Sequence, residues 1–215
     1  MARTKDPLRT YRGKRHFGRT REPHGDGPGR TGGGDPRFVV QIHDASTLHF
    51  DFRLEVDGVL KSWSVPKGPP SDPAQKRLAV PTEDHPLEYR EFEGVIAEGE
   101  YGAGTVVVWD EGTYRPLPPG RRDRRGLPFA DALADGHVSF RLHGAKLRGD
   151  YALTRFRGGG KRDSWLLVRE RSTGKGGGSG RGAPADPARA RSVRSGRTLR
   201  QVAAAEPADD EGSRR

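Results

Sequence analysis

Between Arg37 and Val56 apolar side chains recur at every second position, and that period fits one backbone form, the extended strand. Phe38, Val40 and Ile42 share one face of a first run, and Phe50, Phe52, Leu54 and Val56 share one face of a second. Those faces read as core. The opposite faces carry Gln41 and His43, then His49, Asp51, Arg53 and Glu55. A strand face turned only to water rarely gathers imidazoles, a carboxylate and a guanidinium over so short a span, and these are the groups that metal and phosphate chemistry use. His43, His49 and Asp51 can therefore converge.

The same period continues down the chain. Strands are expected at about Arg37–Asp44, His49–Val56, Val59–Val65, Arg77–Val80, Thr105–Asp110, His137–His143, Asp150–Arg157 and Ser164–Arg169. Asp57-Gly58 is a tight hairpin turn, and Glu111-Gly112 is read as the turn that closes the strand before it. The only helix expected is short, Pro128–Asp135, with Phe129 and Leu133 four apart and Gly136 placed to end it. Loops are expected at VPKGPPSDP, TEDHPLEYREFEG, PLPPGRRDRRGLP and GGGKRD. Short strands with Gly/Pro turns predict a mainly β fold, a small antiparallel β-barrel with one or two short helices.

Composition divides the chain. Its formal net charge of +10 lies entirely in the first 35 and last 45 residues, which leaves the middle neutral. Residues 1–35 read as a basic arm, partly docked because YRGKRHFGRTREPHG carries aromatics and Glu22; residues 36–171 read as the barrel domain, and residues 172–215 as a disordered basic tail. Basic arms on a neutral body suit sequence-independent attraction to a polyanion. Arg outnumbers Lys 31 to 8, so a composition bias accounts for the charge equally simply. With no cysteine, disulfides, thiol nucleophiles and thiolate-held zinc are excluded, and any metal must sit on nitrogen and oxygen. No apolar run is long enough to span a membrane, and the first residues lack a signal-peptide core, so a soluble cytoplasmic protein is expected.

Taken from the residues alone, the His43, His49, Asp51 set is a candidate site for a divalent cation, and ordinary hydrogen-bonded surface residues explain it as well. Arg53, one step along the same face, can take two phosphate oxygens or form a cross-strand ion pair. Arg77, Lys67 and His85 are further candidates from neighbouring segments, with His85 suited to stabilising an oxyanion or protonating a leaving group. GEYGAG reads as a structural turn, because neither a Gly-Lys-Ser/Thr run nor a helix follows it. His49 and Asp51 with a distant His143 and Arg155 also fit the facial triad of an iron oxygenase, and a non-catalytic module that holds broken DNA ends is a third reading.

These stretches resemble the 3′-phosphoesterase domain of bacterial DNA ligase D and its free-standing relatives. YRGKRHFGRTREPHG, FVVQIHDASTLHFDFRLEVDGVLKSWSVPKGP, KRLAVPTEDHPLEY, FEGVIAEGEYGAGTVVVWDEGTY and KLRGDYALTRFRGGGKRDSWLLVRE follow one another over about Leu8 to Arg171. The resemblance implies a barrel with a polar concave active surface and a Mn²⁺-dependent hydrolase, with Zn²⁺ or Co²⁺ as other possible metals. Its implied task is to remove a terminal ribonucleoside and then a 3′-phosphate from DNA or RNA-tipped DNA ends in break repair by non-homologous end joining. It implies His43, His49 and Asp51 as metal ligands, and Arg53, Arg77 and His85 as phosphate-binding and activating groups. Glu83 and Tyr89 are expected beside them in catalysis, and Arg15, Glu22, Gln41 and Lys67 in substrate binding. Where relatives carry an acidic residue after the Lys-Arg pair, this chain has His16. A monomer associated with the nucleoid is expected, working with a separate ATP-dependent DNA ligase, a polymerase and an end-binding protein.

Overall fold

A computed structural model describes residues 6–27, 33–118, 126–156, 163–171 and 182–205. Within them the chain is mainly β. Its strands are β1 (Arg37–Asp44), β2 (Leu48–Val56), β3 (Val59–Val65), β4 (Lys76–Pro81), β5 (Gly94–Ile96), β6 (Gly104–Pro116), β7 (His137–Gly144), β8 (Arg148–Phe156) and β9 (Ser164–Arg169). Three short α-helices, α1 (Arg9–Gly13), α2 (Phe129–Asp135) and α3 (Leu199–Ala205), and two 3-10 turns, Leu87–Glu91 and Pro187–Arg189, accompany them.

Every pairing is antiparallel, in the order β1-β2-β3-β4-β9-β8-β7-β6, and β6 pairs back onto β1. The eight strands thus close into a barrel, and β5 adds to it along β6. The β2–β3 hairpin turns at Asp57 (φ +49°) and Gly58 (φ +79°), two positive dihedrals in a row as a type I′ turn requires. Gly136 ends α2 in the left-handed region (φ +105°).

Strand parity sorts the side chains as the alternation predicts. Phe38, Val40, Ile42, Phe50, Phe52, Leu54, Trp63, Val107, Phe140, Leu142, Leu153 and Leu167 fill the barrel. A second, smaller apolar cluster lies outside it, where Val39, Leu60, Val106 and Val108 meet Tyr11 of α1 and Tyr89, Phe92 and Ile96 of the segment after β4. Between these layers runs the polar outer face of β1–β3. A register shift between Val40 and Gln41 places one extra residue, Trp109, in β6, so Trp109 turns into the core while Val108 keeps the outer face opposite Gln41.

Three expectations are corrected. The strand from Thr105 does not stop at Glu111-Gly112 but runs on to Pro116, because Gly112 is a point of close approach: a Cβ there would lie 2.2 Å from the His143 carbonyl oxygen. The three-residue β5 and helices α1 and α3 were not expected. Residues 182–205 are not a disordered tail, because Leu199 and Val202 are buried in the core and α3 packs on β5 and β6. Residues 172–181 and 206–215, and the centres of the loops expected at 116–128 and 158–163, lie outside the described residues.

Candidate functional site

Three registers build the site. Gln41 faces Asp51 and His43 faces His49 across β1–β2, while Arg53 faces Ser62 and Asp51 faces Ser64 across β2–β3. After β4 the chain stays beside β3, where the Thr82 N–H donates to the Ser62 carbonyl, and Leu60 and His85 exchange both backbone hydrogen bonds. His85 is thereby brought over the same face. The N-terminal segment covers it from the other side with Lys14, Arg15 and Glu22. The resulting cavity, about 350 Å³, is lined by Arg15, His43, His49, Asp51, His85 and Tyr101, among others. A larger cavity of about 630 Å³ elsewhere presents Asp35, Glu55, Glu88 and Glu91 against Arg37 and Arg90, so its excess of carboxylates suits no phosphate.

His43, His49 and Asp51 offer ligand atoms within 4.8 Å of one another, the one such set among the described residues. His43 Nε2 donates to the Gly102 carbonyl (2.8 Å), which leaves Nδ1 as the lone-pair nitrogen, 3.7 Å from Asp51 Oδ2. His49 Nδ1 donates to the Thr47 carbonyl (2.8 Å), which leaves Nε2 3.5 Å from Asp51 Oδ1. Each imidazole thus has its tautomer set by a backbone carbonyl and aims its free nitrogen at the shared carboxylate, the outer-shell arrangement of metal-binding histidines. Burial works to raise the Asp51 pKa, but Arg53, His43 and His49 outweigh it and hold the carboxyl well below its usual range. Two imidazoles and a carboxylate suit Mn²⁺, Zn²⁺ or Co²⁺, so the donor set fits a divalent cation.

Arg53 forms the floor. It is 2% exposed and donates to Gln41 Oε1 (2.8 Å), Ser62 Oγ (2.9 Å) and Asp51 Oδ2 (2.9 Å), with Nη1 also 2.9 Å from His85 Nδ1 and the guanidinium over the Tyr89 ring. A buried cation left unpaired would cost several kcal/mol; the bonds to Asp51, Gln41 and Ser62 offset that. The guanidinium thereby holds Asp51 in place and keeps it ionised. Gln41 in turn donates to the carbonyls of Tyr89 and Phe92, fixing the segment opposite.

His85 is pressed between two guanidiniums. Burial first, then Arg53 and Arg15, hold its pKa well below the usual histidine value, so the ring is neutral at neutral pH. With the proton assigned to Nδ1, the ring donates to the Glu83 carbonyl (2.8 Å) and offers Nε2 to Arg15 Nη2 at 3.4 Å. Arg15 also donates to Glu22 (2.8 Å) and Glu83 (3.1 Å), and Glu22 accepts the Tyr89 hydroxyl (2.9 Å). Tyr89 is therefore a brace whose hydroxyl is spent on Glu22.

The structure brings together ten of the residues singled out in the sequence, and it leaves Arg77 and Lys67 apart. Arg77 is on β4 with the parity of core residue Ala79, and its Nη2 donates to Gln75; Lys67 is exposed just after β3. His16 bonds Glu100 (3.0 Å) and does not line the cavity. The oxygenase reading is overturned: His143 pairs with Thr113, whose other neighbour is Arg37, at the end of β1 away from His43, and Arg155 donates to the Asp135 carbonyl. Sequence reasoning missed Lys14, Tyr101, Gly102 and Ser62. Gly102 carried one signal, a glycine-rich turn directly ahead of a buried strand.

Comparison with known proteins agrees with this geometry. Residues 41–155, more than half of the chain, match the family described as the DNA ligase D 3′-phosphoesterase domain. The chain belongs to that family. It is 52% identical over 163 residues to the multifunctional non-homologous end joining protein LigD of Pseudomonas aeruginosa, and 46% identical over 164 residues to the LigD protein of Mycobacterium tuberculosis. Each alignment takes in 76% of this chain but only 18% and 20% of those proteins, so the chain spans about a fifth of the length of these LigD relatives. Among the described residues no helix is long and apolar enough to cross a membrane.

Proposed function

We propose that this LigD-type domain is a metal-dependent phosphoesterase that trims DNA 3′ ends during break repair, removing a terminal ribonucleoside and a 3′-phosphate. The observation that carries the reading is the paired tautomer fixing of His43 and His49 around Asp51, next to a wall of Arg15 and neutral His85, with Lys14 bonded to the cavity's Glu83 and Tyr101. His43, His49 and Asp51 would hold the cation, with Mn²⁺ the metal proposed. When bound it supplies positive charge against a phosphoryl group and acidifies water.

The fixed charges explain why the cation matters. Arg53 is matched by Asp51, Arg15 by Glu22 and Lys14 by Glu83, so the wall itself offers an incoming phosphate little net positive charge. Lys14 and Arg15 orient that phosphate, and Arg53 keeps Asp51 ionised. His85 meets the anion as a neutral ring; the phosphate's negative charge opposes the two guanidiniums, raises the ring's basicity and lets it hold a proton at Nε2. DNA or RNA-tipped DNA ends are the proposed substrates, and a ligase, a polymerase and an end-binding protein the proposed partners.

The test is to incubate the protein with Mn²⁺ and primer-templates ending in a ribonucleotide or a 3′-phosphate. Shortening and dephosphorylation are expected, with His49→Ala slower by about 10²-fold or more. Neither product from the wild-type protein overturns the assignment.

A further inference from the structure

Tyr101 is out of place for a structural residue. Its side chain is 48% exposed, the most open large hydrophobic side chain among the described residues, yet it lines the cavity that holds the metal-ligand set. It is also held in place. The Lys14 ammonium lies 4.2 Å from its ring centroid and 3.0 Å from its hydroxyl, and Lys14 is itself tied to Glu83 at 3.0 Å. The turn beneath it is set by Gly99 (φ +83°) and Gly102 (φ +80°), and the Gly102 carbonyl is the one that orients His43. An aromatic ring, with the Lys14 ammonium over it, the Arg15 guanidinium 5.8 Å from its centroid and about half of the residue open to water, therefore stands one residue from the carbonyl that fixes a metal ligand.

We propose that Tyr101 is a stacking platform for the base of the nucleotide whose 3′-phosphoester enters the cavity. The inference rests on the phosphoesterase reading and adds the part of the substrate that reading leaves unplaced. The cavity floor is polar and takes an anionic group; the rim offers a flat apolar face. A terminal nucleotide presents both, and stacking tolerates any base because every base has a π face. The substrate class is thus a nucleobase-bearing 3′ end rather than a phosphoester in general.

Two arms test this. On a 3′-phosphorylated oligonucleotide, Tyr101→Ala is expected to raise KM about 10-fold, mainly in KM rather than kcat, with Tyr101→Phe close to wild type because the ring is kept. On the same oligonucleotide with an abasic terminal nucleotide, the ratio between wild type and Tyr101→Ala should collapse towards one. An equal KM rise on both ends, or no rise on the normal end, overturns the proposal. Independently of turnover, a terminal 2-aminopurine should be quenched on binding to metal-free wild type and not to Tyr101→Ala. Quenching that is absent in wild type or unchanged in the variant overturns it as well. Processing without any of these differences sinks only the platform; quenching without processing sinks only the phosphoesterase reading.

Discussion

Residues 6–27 and residues 182–205 are both rich in arginine and carry few large apolar side chains, and both lie against the barrel, but they are attached differently. The first is locked by a buried ionic network in which Arg15 and Glu22 have side chains 4% and 0% exposed, with Tyr11 donating to the Pro23 carbonyl. The second is anchored by Leu199 and Val202, by backbone bonds from Val193 to the Val108 carbonyl and from Ala183 to the Pro69 carbonyl, by a bond from Lys146 to the Arg191 carbonyl, and by ion pairs of Arg194 with Glu91 and Glu111 near the surface. Ionic locks are directional and apolar anchors are not. The N-terminal segment can therefore position groups for chemistry, while the C-terminal one mainly clamps.

The sharpest way to break this contrast is Glu22→Ala. Removing Glu22 leaves Arg15 with Glu83 alone and takes away the acceptor of the Tyr89 hydroxyl, so about 3 kcal/mol of stability should be lost in urea unfolding. A fall of about 10²-fold in kcat/KM should accompany it. Leu199→Ala comes next. It should cost about 2–4 kcal/mol through a core cavity, with kcat/KM on 3′-phosphorylated DNA within about twofold of wild type. A rate loss that tracks its stability loss would show that the two segments are not separable.

Acid gives the mildest discrimination. Burial works to raise the Glu83 pKa, but hydrogen bonds from its own backbone N–H, from Lys14 and from Arg15 outweigh it and hold the carboxyl below the ordinary value of 4.5. A carboxyl with a depressed folded-state pKa contributes its full stability above the unfolded value and loses it as pH falls through the folded one. Glu91, 55% exposed beside Arg90 and Arg194, is lowered too, but solvent screens that pair. Between pH 5 and 3, hydrogen exchange should therefore quicken in residues 6–27 before it does in residues 182–205.

Much of the fold was legible because alternation survives wherever a strand separates a core from a polar face, as it does from Phe38 to Val65. Gly112 was misread because a glycine that lets two backbones approach looks, in sequence, like one that turns a chain. The last segment was misread because its two anchors, Leu199 and Val202, are few and sit among alanines and arginines. That His43, His49 and Asp51 come together was legible from parity; their reading as metal ligands came from the family resemblance. Lys14, Tyr101 and Ser62 were not, since only tertiary folding sets the arm, the glycine-rich turn and β3 side by side. Arg77 shows the reverse error, a residue close in the order of motifs whose strand parity turns it towards the interior.

The reacting groups sit on the outer skin of a sealed cylinder whose inside is already complete. His43 and His49 take no part in the packing of that interior, so exchanging either imidazole alters the chemistry on the skin while the apolar cylinder beneath keeps its contacts.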